Sequence, residues 1–530
     1  MRLEKMKPAE KRNICLAAGC LFALAFILLI FSPGNVDPMN TDWVIHGGGD
    51  NLQHYLGWRF FRVSGWNRFL LFMQNLNYPL GTSVIVTDSN PLFCLFFKLF
   101  DEFLPPAFQF NGIWIALSYL LLGFFSAKIG WYLTKSVPLT LSGVMLSVMN
   151  PVILQRALIH DTLTAHWLIL AAIWLCLNDA KKWNIPGWFL LTELTLLIHF
   201  YFIPMIAFIL VLQLIRMVRS KKPVFVILTT IGVFLFALLS GYLLFGYSHI
   251  LPQSGSYGEL SLNLNAFINP DSIPAILSPR PKLPLQYEGF NYWGLGLLVF
   301  LLLGLAVGQR DFLKSILPYL LPAALLVLAA ASNDGWFDRH QLYHFDLPEH
   351  LYSLLSVFRS SGRLVWCLYY LAVFAILAAF SRSSGNKVFL YFLAFGCVIL
   401  QFTDLHQFFQ KTAARFRSPA NEITAIPVDF YDLIPEGTLH LFCSEGDSKS
   451  MDALALFAAE KRLTYNRSAN ARGIKSIFGG GPVDLSSMTC GMVMDDAVYV
   501  YLRDSAFPED IISCPGIKIS ELNGWRVVNR

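Results

Sequence analysis

Residues 1–31 read MRLEKMKPAEKRNICLAAGCLFALAFILLIF. A basic stretch leads directly into residues 14–31, which carry no charged or strongly polar side chain. About 20 apolar residues are enough to cross a bilayer as a helix. The run exceeds the hydrophobic core of a typical signal peptide, and no clear small-x-small cleavage site follows it. It therefore reads as a first transmembrane helix with its N-terminus in the cytoplasm.

The whole chain agrees. Of 530 residues, 55% are hydrophobic and 14% charged, and the mean hydropathy is +0.52; a soluble domain carries roughly 25% charged residues. The 45 phenylalanines suit lipid-facing and interfacial surfaces. Further apolar stretches lie at about 108–133, 137–154, 163–179, 187–201, 203–219, 223–246, 291–308, 314–331, 364–381 and 387–403. The expectation is an α-helical polytopic membrane protein with about eleven spans, a transmembrane domain over 1–403 and a small soluble α/β domain over 404–530. The net charge of +5 is spread between the apolar stretches, with no basic patch of a nucleic-acid-binding kind.

The cations sort by side. With the N-terminus inside, the cytoplasmic turns contain Lys128 and Lys135; Lys181 and Lys182; Arg219, Lys221 and Lys222; Arg310 and Lys314; and Arg382 and Lys387. That is the positive-inside pattern. An odd number of spans then puts 404–530 outside. All 11 histidines fall in outside loops or at outer span ends. Residues 91–104, PLFCLFFKLFDEFL, are too short to span and carry Lys98; they read as an interfacial segment on the outer membrane surface.

The outside loops are unequal. Loop one, roughly 32–107, is long, and long ordered loops usually carry function. In the C-terminal segment, VYVYL at 498–502 reads as a strand, residues 451–460 as a helix, and Asn523-Gly524 as a hairpin turn. Of nine cysteines, Cys443, Cys490 and Cys514 fall outside; Cys490–Cys514 is one possible pair, and spacing alone does not assign it. No CxxC or HExxH motif calls for zinc.

Candidate chemistry lies in five stretches. In IHGGGDNLQHYLGWRFFR (45–62), Asp50, His54, Trp58 and Arg62 recur every four residues and share one helical stripe. They suit a general base, its orienting imidazole, a sugar-stacking plate and a phosphate-binding cation. Asp50 also suits an N-cap, and Trp58 and Arg62 an interfacial helix. Asp88, in IVTDSNP (85–91), is a second carboxylate or a turn residue. LQRALIHDTLTAHW (154–167) carries Arg156, His160, Asp161 and His166 at the mouth of a span, where charge is costly and usually functional. FRSSGRLVW (358–366) places Arg359 and Arg363 on the outer side, against the positive-inside tendency. A bound phosphate would offset that, with snorkelling as the alternative. QYEGFNYWGLG (286–296) carries Glu288 and Tyr292 in an aromatic setting that suits either a belt or a sugar-binding rim.

GGDNLQHYLGWRFFR, GTSVIVTDSNPL, HDTLTAHWLIL, EGFNYWGLG and FRSSGRLVW resemble motifs of an uncharacterised bacterial membrane family. Its layout is similar to the GT-C class of membrane glycosyltransferases, and the resemblance covers most of 40–400. It implies an inverting transfer of a sugar from a polyprenyl-phosphate donor to an envelope glycan, such as lipopolysaccharide O-antigen, on the periplasmic side of the inner membrane. By chain order Asp50 corresponds to the loop-one acid of that class, with Asp88 second. HDTLT departs from the expected glycine before a small-residue run, which argues against a role for Asp161. Arg62, Arg156, His160, His166, Arg359 and Arg363 are the donor-phosphate candidates, and Trp58, Glu288 and Tyr292 the sugar or acceptor rim. No cofactor or metal is expected, although some members of the class use a divalent cation. The alternative is a flippase for lipid-linked glycans; the chain shows no convincing internal repeat of the transporter kind.

Overall fold

The computed structural model describes residues 6–47, 49–251, 257–308, 310–419, 423–470, 472–479 and 481–530. Among them, eight helices are long and apolar enough to cross a membrane: Pro8–Phe31, Asn111–Thr134, Val137–Ile159, Phe202–Arg219, Val224–Leu244, Phe312–Ala331, Ser361–Arg382 and Lys387–Arg417. Three more apolar helices are shorter: Asp161–Leu177, Asn184–Ile198 and Leu295–Val307. A helix thus occupies each of the eleven apolar stretches, eight of them at spanning length.

The chain divides into two compact units. The first comprises Met1–Pro38, Phe110–Ser240 and Pro252–Ser418, and the second Met39–Gln109, Gly241–Leu251 and Pro419–Arg530. This corrects the expected boundary at 403/404. The helix that begins at Lys387 runs on to Arg417, because Leu405, Phe408, Phe409, Thr412, Ala413 and Phe416 continue a buried face at helical spacing. Loop one also belongs to the same compact unit as the C-terminal segment, not to the helical one.

In the first unit, several buried polar groups are paired between helices. The helix Leu295–Val307 has no N-terminal capping side chain of its own. Its first N–H groups are satisfied by the last helix: Leu295 N donates to Asp404 Oδ2 at 2.9 Å and Leu297 N to Gln401 Oε1 at 3.0 Å. A helix start otherwise leaves such donors unpaired. Between neighbouring helices, Trp188 Nε1 donates to Gln213 Oε1 at 3.0 Å, and Gln213 Nε2 to Asn184 Oδ1 at 2.9 Å.

In the second unit, a five-stranded sheet has the spatial order Thr464–Tyr465, His440–Cys443, Ala497–Tyr501, Trp525–Asn529 and Lys518–Leu522. The last two strands form the expected hairpin, with φ of 53° at Asn523 and 84° at Gly524. The helix Ser448–Lys461 covers residues 451–460 as anticipated. Loop one extends the sheet edge: Tyr465 N donates to Asn75 O at 2.8 Å and Tyr78 N to Tyr465 O at 2.9 Å. Cys490 and Cys514 are disulfide-bonded, and Cys443 is a buried free thiol. Residues 91–104 form only the short helix Pro91–Lys98 and a turn at Asp101–Phe103, leaving Phe96, Leu99, Phe100 and Phe103 exposed.

Candidate functional site

In the first unit, three of the sequence stretches converge. Asn150-Pro151 starts the helix Pro151–Ile159, with the Asn150 side chain accepting from Val152 N, and one face of that helix buries Arg156. Glu288 sits in the 3-10 turn Pro284–Gly289, and Arg363 in the turn Ser361–Val365. The two turns touch backbone to backbone. A Cβ on Gly362 would lie 2.5 Å from Gly289 Cα, so only glycine fits there. Asn291 Nδ2 ties them by donating to Gly289 O at 3.0 Å and Gly362 O at 2.9 Å.

The convergence ends on one oxygen. Arg156 Nη2 lies 2.9 Å from Glu288 Oε2, and Arg363 Nε and Nη2 each lie 2.8 Å from the same atom. Each guanidinium also rests on an aromatic face: Arg156 is 5.3 Å from the Trp366 ring centroid and Arg363 4.8 Å from that of Tyr201. Tyr201 is held in turn by Ser360 N, which donates to its hydroxyl at 2.9 Å. Burial opposes ionisation of Glu288, but the two guanidiniums overcome it and hold its carboxyl well below the usual range. Glu288 is therefore an anion at neutral pH and a poor proton acceptor. The sequence reading of Glu288 as a rim residue missed this pairing, because its partners lie 132 and 75 residues away in the chain.

Two other residues of these stretches leave the ligand set. His166 packs on Trp366 with ring centroids 5.0 Å apart, and its Nδ1 lies 2.9 Å from the Tyr370 hydroxyl, which also accepts from Asn150 at 3.3 Å. It is an interhelical packing residue rather than a phosphate ligand. Tyr292 is fully buried and donates to Asp404 Oδ2 at 2.8 Å, so it braces the last helix rather than forming a sugar rim. Arg359 is not among the partners of Glu288. Asp161 accepts from Asn111 Nδ2 at 2.7 Å, a structural role.

His160 ends its helix in extended backbone, and its ring meets that of His199 edge to face at 5.3 Å. His199 was not among the predicted site residues. It ends the helix Asn184–Ile198 in the same way, and both histidines follow Leu-Ile, a repeated signal that could have found it.

In the second unit, Asp50, His54, Trp58 and Arg62 do not act as one exposed stripe. Asp50 occupies the N-cap position of the helix Asn51–Val63, is exposed, and makes no side-chain capping bond. A carboxylate oxygen of Asp50 and a ring nitrogen of His54 lie within 4.8 Å, and His54 is fully buried. That juxtaposition fits an acid with an imidazole beside it. Trp58 is buried, with Nε1 donating to Phe108 O at 3.0 Å, so it is core and not a stacking plate. Arg62 leaves the phosphate set as well. Its Nε donates to Asp101 at 2.6 Å and its Nη1 to the carbonyls of Pro105 and Pro106 at 3.0 and 3.1 Å.

Asp88 lies in a left-handed turn, φ 56°, just before Asn90, whose side chain caps the next helix by accepting from Phe93 N. This turn packs on the helix Asn51–Val63 at Gly57, where a Cβ would come within 2.1 Å of Ser89 Oγ. The Tyr247 phenol is pushed up by burial and by the charge of Asp88, while Arg472 pulls it down. Tyr247 and Arg472 escaped the sequence reading because the three residues come from the three separate segments of the unit.

These observations define a helical protein suited to a membrane, with ionised side chains buried near helix ends. The chain belongs to the family described as a domain of unknown function (DUF6311), which matches residues 20–406. No curated protein matches it.

Proposed function

We propose that this protein is an inner-membrane glycosyltransferase that moves a sugar from a polyprenyl-phosphate donor to an envelope glycan on the periplasmic side, with inversion. The observation that carries the reading is the meeting of Arg156 and Arg363 on one oxygen of Glu288. Buried guanidiniums on aromatic supports are pre-organised for a phosphate, which they bind as a planar fork. The apolar helices beside them suit a lipid-linked ligand. The cation distribution along the chain supports the sidedness.

In this reading an acceptor hydroxyl attacks the anomeric carbon and the bond from that carbon to the phosphate oxygen breaks. The phosphate keeps the electron pair, with its charge stabilised by Arg156 and Arg363. The resemblance to the GT-C class assigns the role of general base to Asp50, with His54 as the residue that orients it. Asp50 is chosen over Glu288 because Glu288 is bound by two cations and is too weak a base. Asp88 is the alternative base. The scheme needs no redox cofactor, because a phosphate departs readily.

The test is transfer from a labelled polyprenyl-phosphate sugar to envelope glycan by the purified full chain and by Asp50→Asn. Transfer by the wild type alone supports the reading. Equal transfer by both moves the base to Asp88. Movement of the lipid between leaflets without transfer replaces the enzyme with a flippase of lipid-linked glycans.

A further inference from the structure

Glu288 is the unusual member of its trio. A site made only to hold a phosphate would need the two arginines and no acid. Here the acid lies in the position that an incoming anion would seek. The three contacts between these arginines and Glu288 all reach Oε2. The side chain is 11% exposed. Its backbone is locked by the Gly289–Gly362 contact and by Asn291, so the carboxylate is held in place beside any ligand of the arginines.

From this we infer that Glu288 is a charge-selecting residue that lets the arginine pair hold a singly charged phosphate diester and release a doubly charged phosphate monoester. The inference rests on the lipid-phosphate reading above and adds a specificity that the reading does not contain. The attraction of a site for an anion grows linearly with the ligand's charge, whereas the cost of stripping water from that anion grows roughly with its square. Lowering the positive potential of the site therefore moves its preferred ligand toward lower charge. Within this trio Glu288 offsets one of two guanidinium charges.

The chemistry gives the selection a use. In the proposed transfer the donor phosphate is a diester with one negative charge. When the sugar leaves, the lipid phosphate becomes a monoester, carrying about −1.5 to −2 near pH 7. An acid fixed beside the phosphate repels the product more than the substrate. A unit charge about 5 Å from Glu288, at an effective dielectric near 20, is repelled by an amount worth on the order of 100-fold in binding.

The experiment measures binding of two probes, a polyprenyl phosphate diester and the matching polyprenyl phosphate monoester, to the full chain in lipid nanodiscs near neutral pH. Wild type, Glu288→Gln and the double variant Arg156→Gln/Glu288→Gln are compared. The expected result is that Glu288→Gln shifts the monoester-to-diester affinity ratio toward the monoester by on the order of 100-fold. The double variant, in which one cation is removed with the acid, keeps a ratio near that of wild type with weaker binding of both. An unchanged ratio in Glu288→Gln overturns the inference and leaves the lipid-phosphate reading standing. If Glu288→Gln does not fold, the double variant decides: a ratio shifted as far as 100-fold there overturns the charge argument, and a ratio near that of wild type supports it. Binding of neither probe to wild type overturns the lipid-phosphate reading itself, and the inference with it.

Discussion

Arg363 and Arg62 are both buried guanidiniums on a carboxylate, in different units, and they differ in how their donors are used. Arg62 spends its donors on Asp101 and on the main-chain carbonyls of Pro105 and Pro106. It closes a loop on itself, and its place in the fold is complete. Arg363 shares one oxygen of Glu288 with Arg156 and leans on Tyr201. Two cations on one acid oxygen is a costly way to staple a fold, since buried ion pairs contribute little net stability. The contrast teaches that residue type and burial alone do not say what a buried arginine does; in the proposed reading Arg62 is a staple and Arg363 a ligand seat.

That contrast can be broken experimentally. The largest effect is expected for Arg363→Ala, which removes transfer and also leaves a buried acid with one partner fewer. Unfolding of the purified protein should show a loss of about 3–5 kcal/mol. A variant that melts like wild type and still transfers sugar would make Arg363 a bystander. Next is Asp50→Asn, which should lower the transfer rate by roughly 10²–10⁴-fold with no change in melting, because the exposed carboxylate makes no capping bond. Arg62→Ala should do the reverse. It should cost about 1.5–3 kcal/mol in unfolding and leave the transfer rate of the folded fraction unchanged. A loss of transfer without a loss of stability would erase the distinction between the two arginines.

Two carboxylates sharpen the contrast through pH, with opposite signs. The arginines hold Glu288 below its ordinary value despite burial. Its stabilising contribution is therefore fully present above the unfolded value, about 4.3, and is lost only as pH falls through the lower folded value. The difference in melting between wild type and Glu288→Gln should stay constant from neutral pH to about 5 and shrink in stronger acid. Asp452, in the second unit, is pushed up to about 6 by burial and by the neighbouring Asp447. Its ionisation costs stability above that value, and the cost vanishes below the unfolded value of about 3.9. Asp452→Asn should accordingly raise the melting temperature slightly near neutral pH and have no effect below about pH 4, the smallest change expected here.

Much of the fold was legible because its signals are local. Apolar length marked where the long helices lie, and alternation with Asn523-Gly524 marked the terminal hairpin. The 403/404 boundary failed for a physical reason: a helix that leaves an apolar layer shows no break in composition if one face stays buried, as Leu405 to Phe416 do. The candidate site was legible only as an inventory. Arg156, Glu288 and Arg363 were each singled out by a charge set among apolar residues. Asp50 and His54 were marked by spacing.

What the sequence determined by itself was the class of protein and the residue types available for chemistry, since hydropathy and helical period are properties of short windows. Tertiary structure decided which of those residues are occupied. Trp58, Arg62, His166 and Tyr292 look like ligands along the chain and are core, staple, packing and brace in space. Their partners come from backbone carbonyls and distant helices, and no window of sequence contains a hydrogen bond made across the fold.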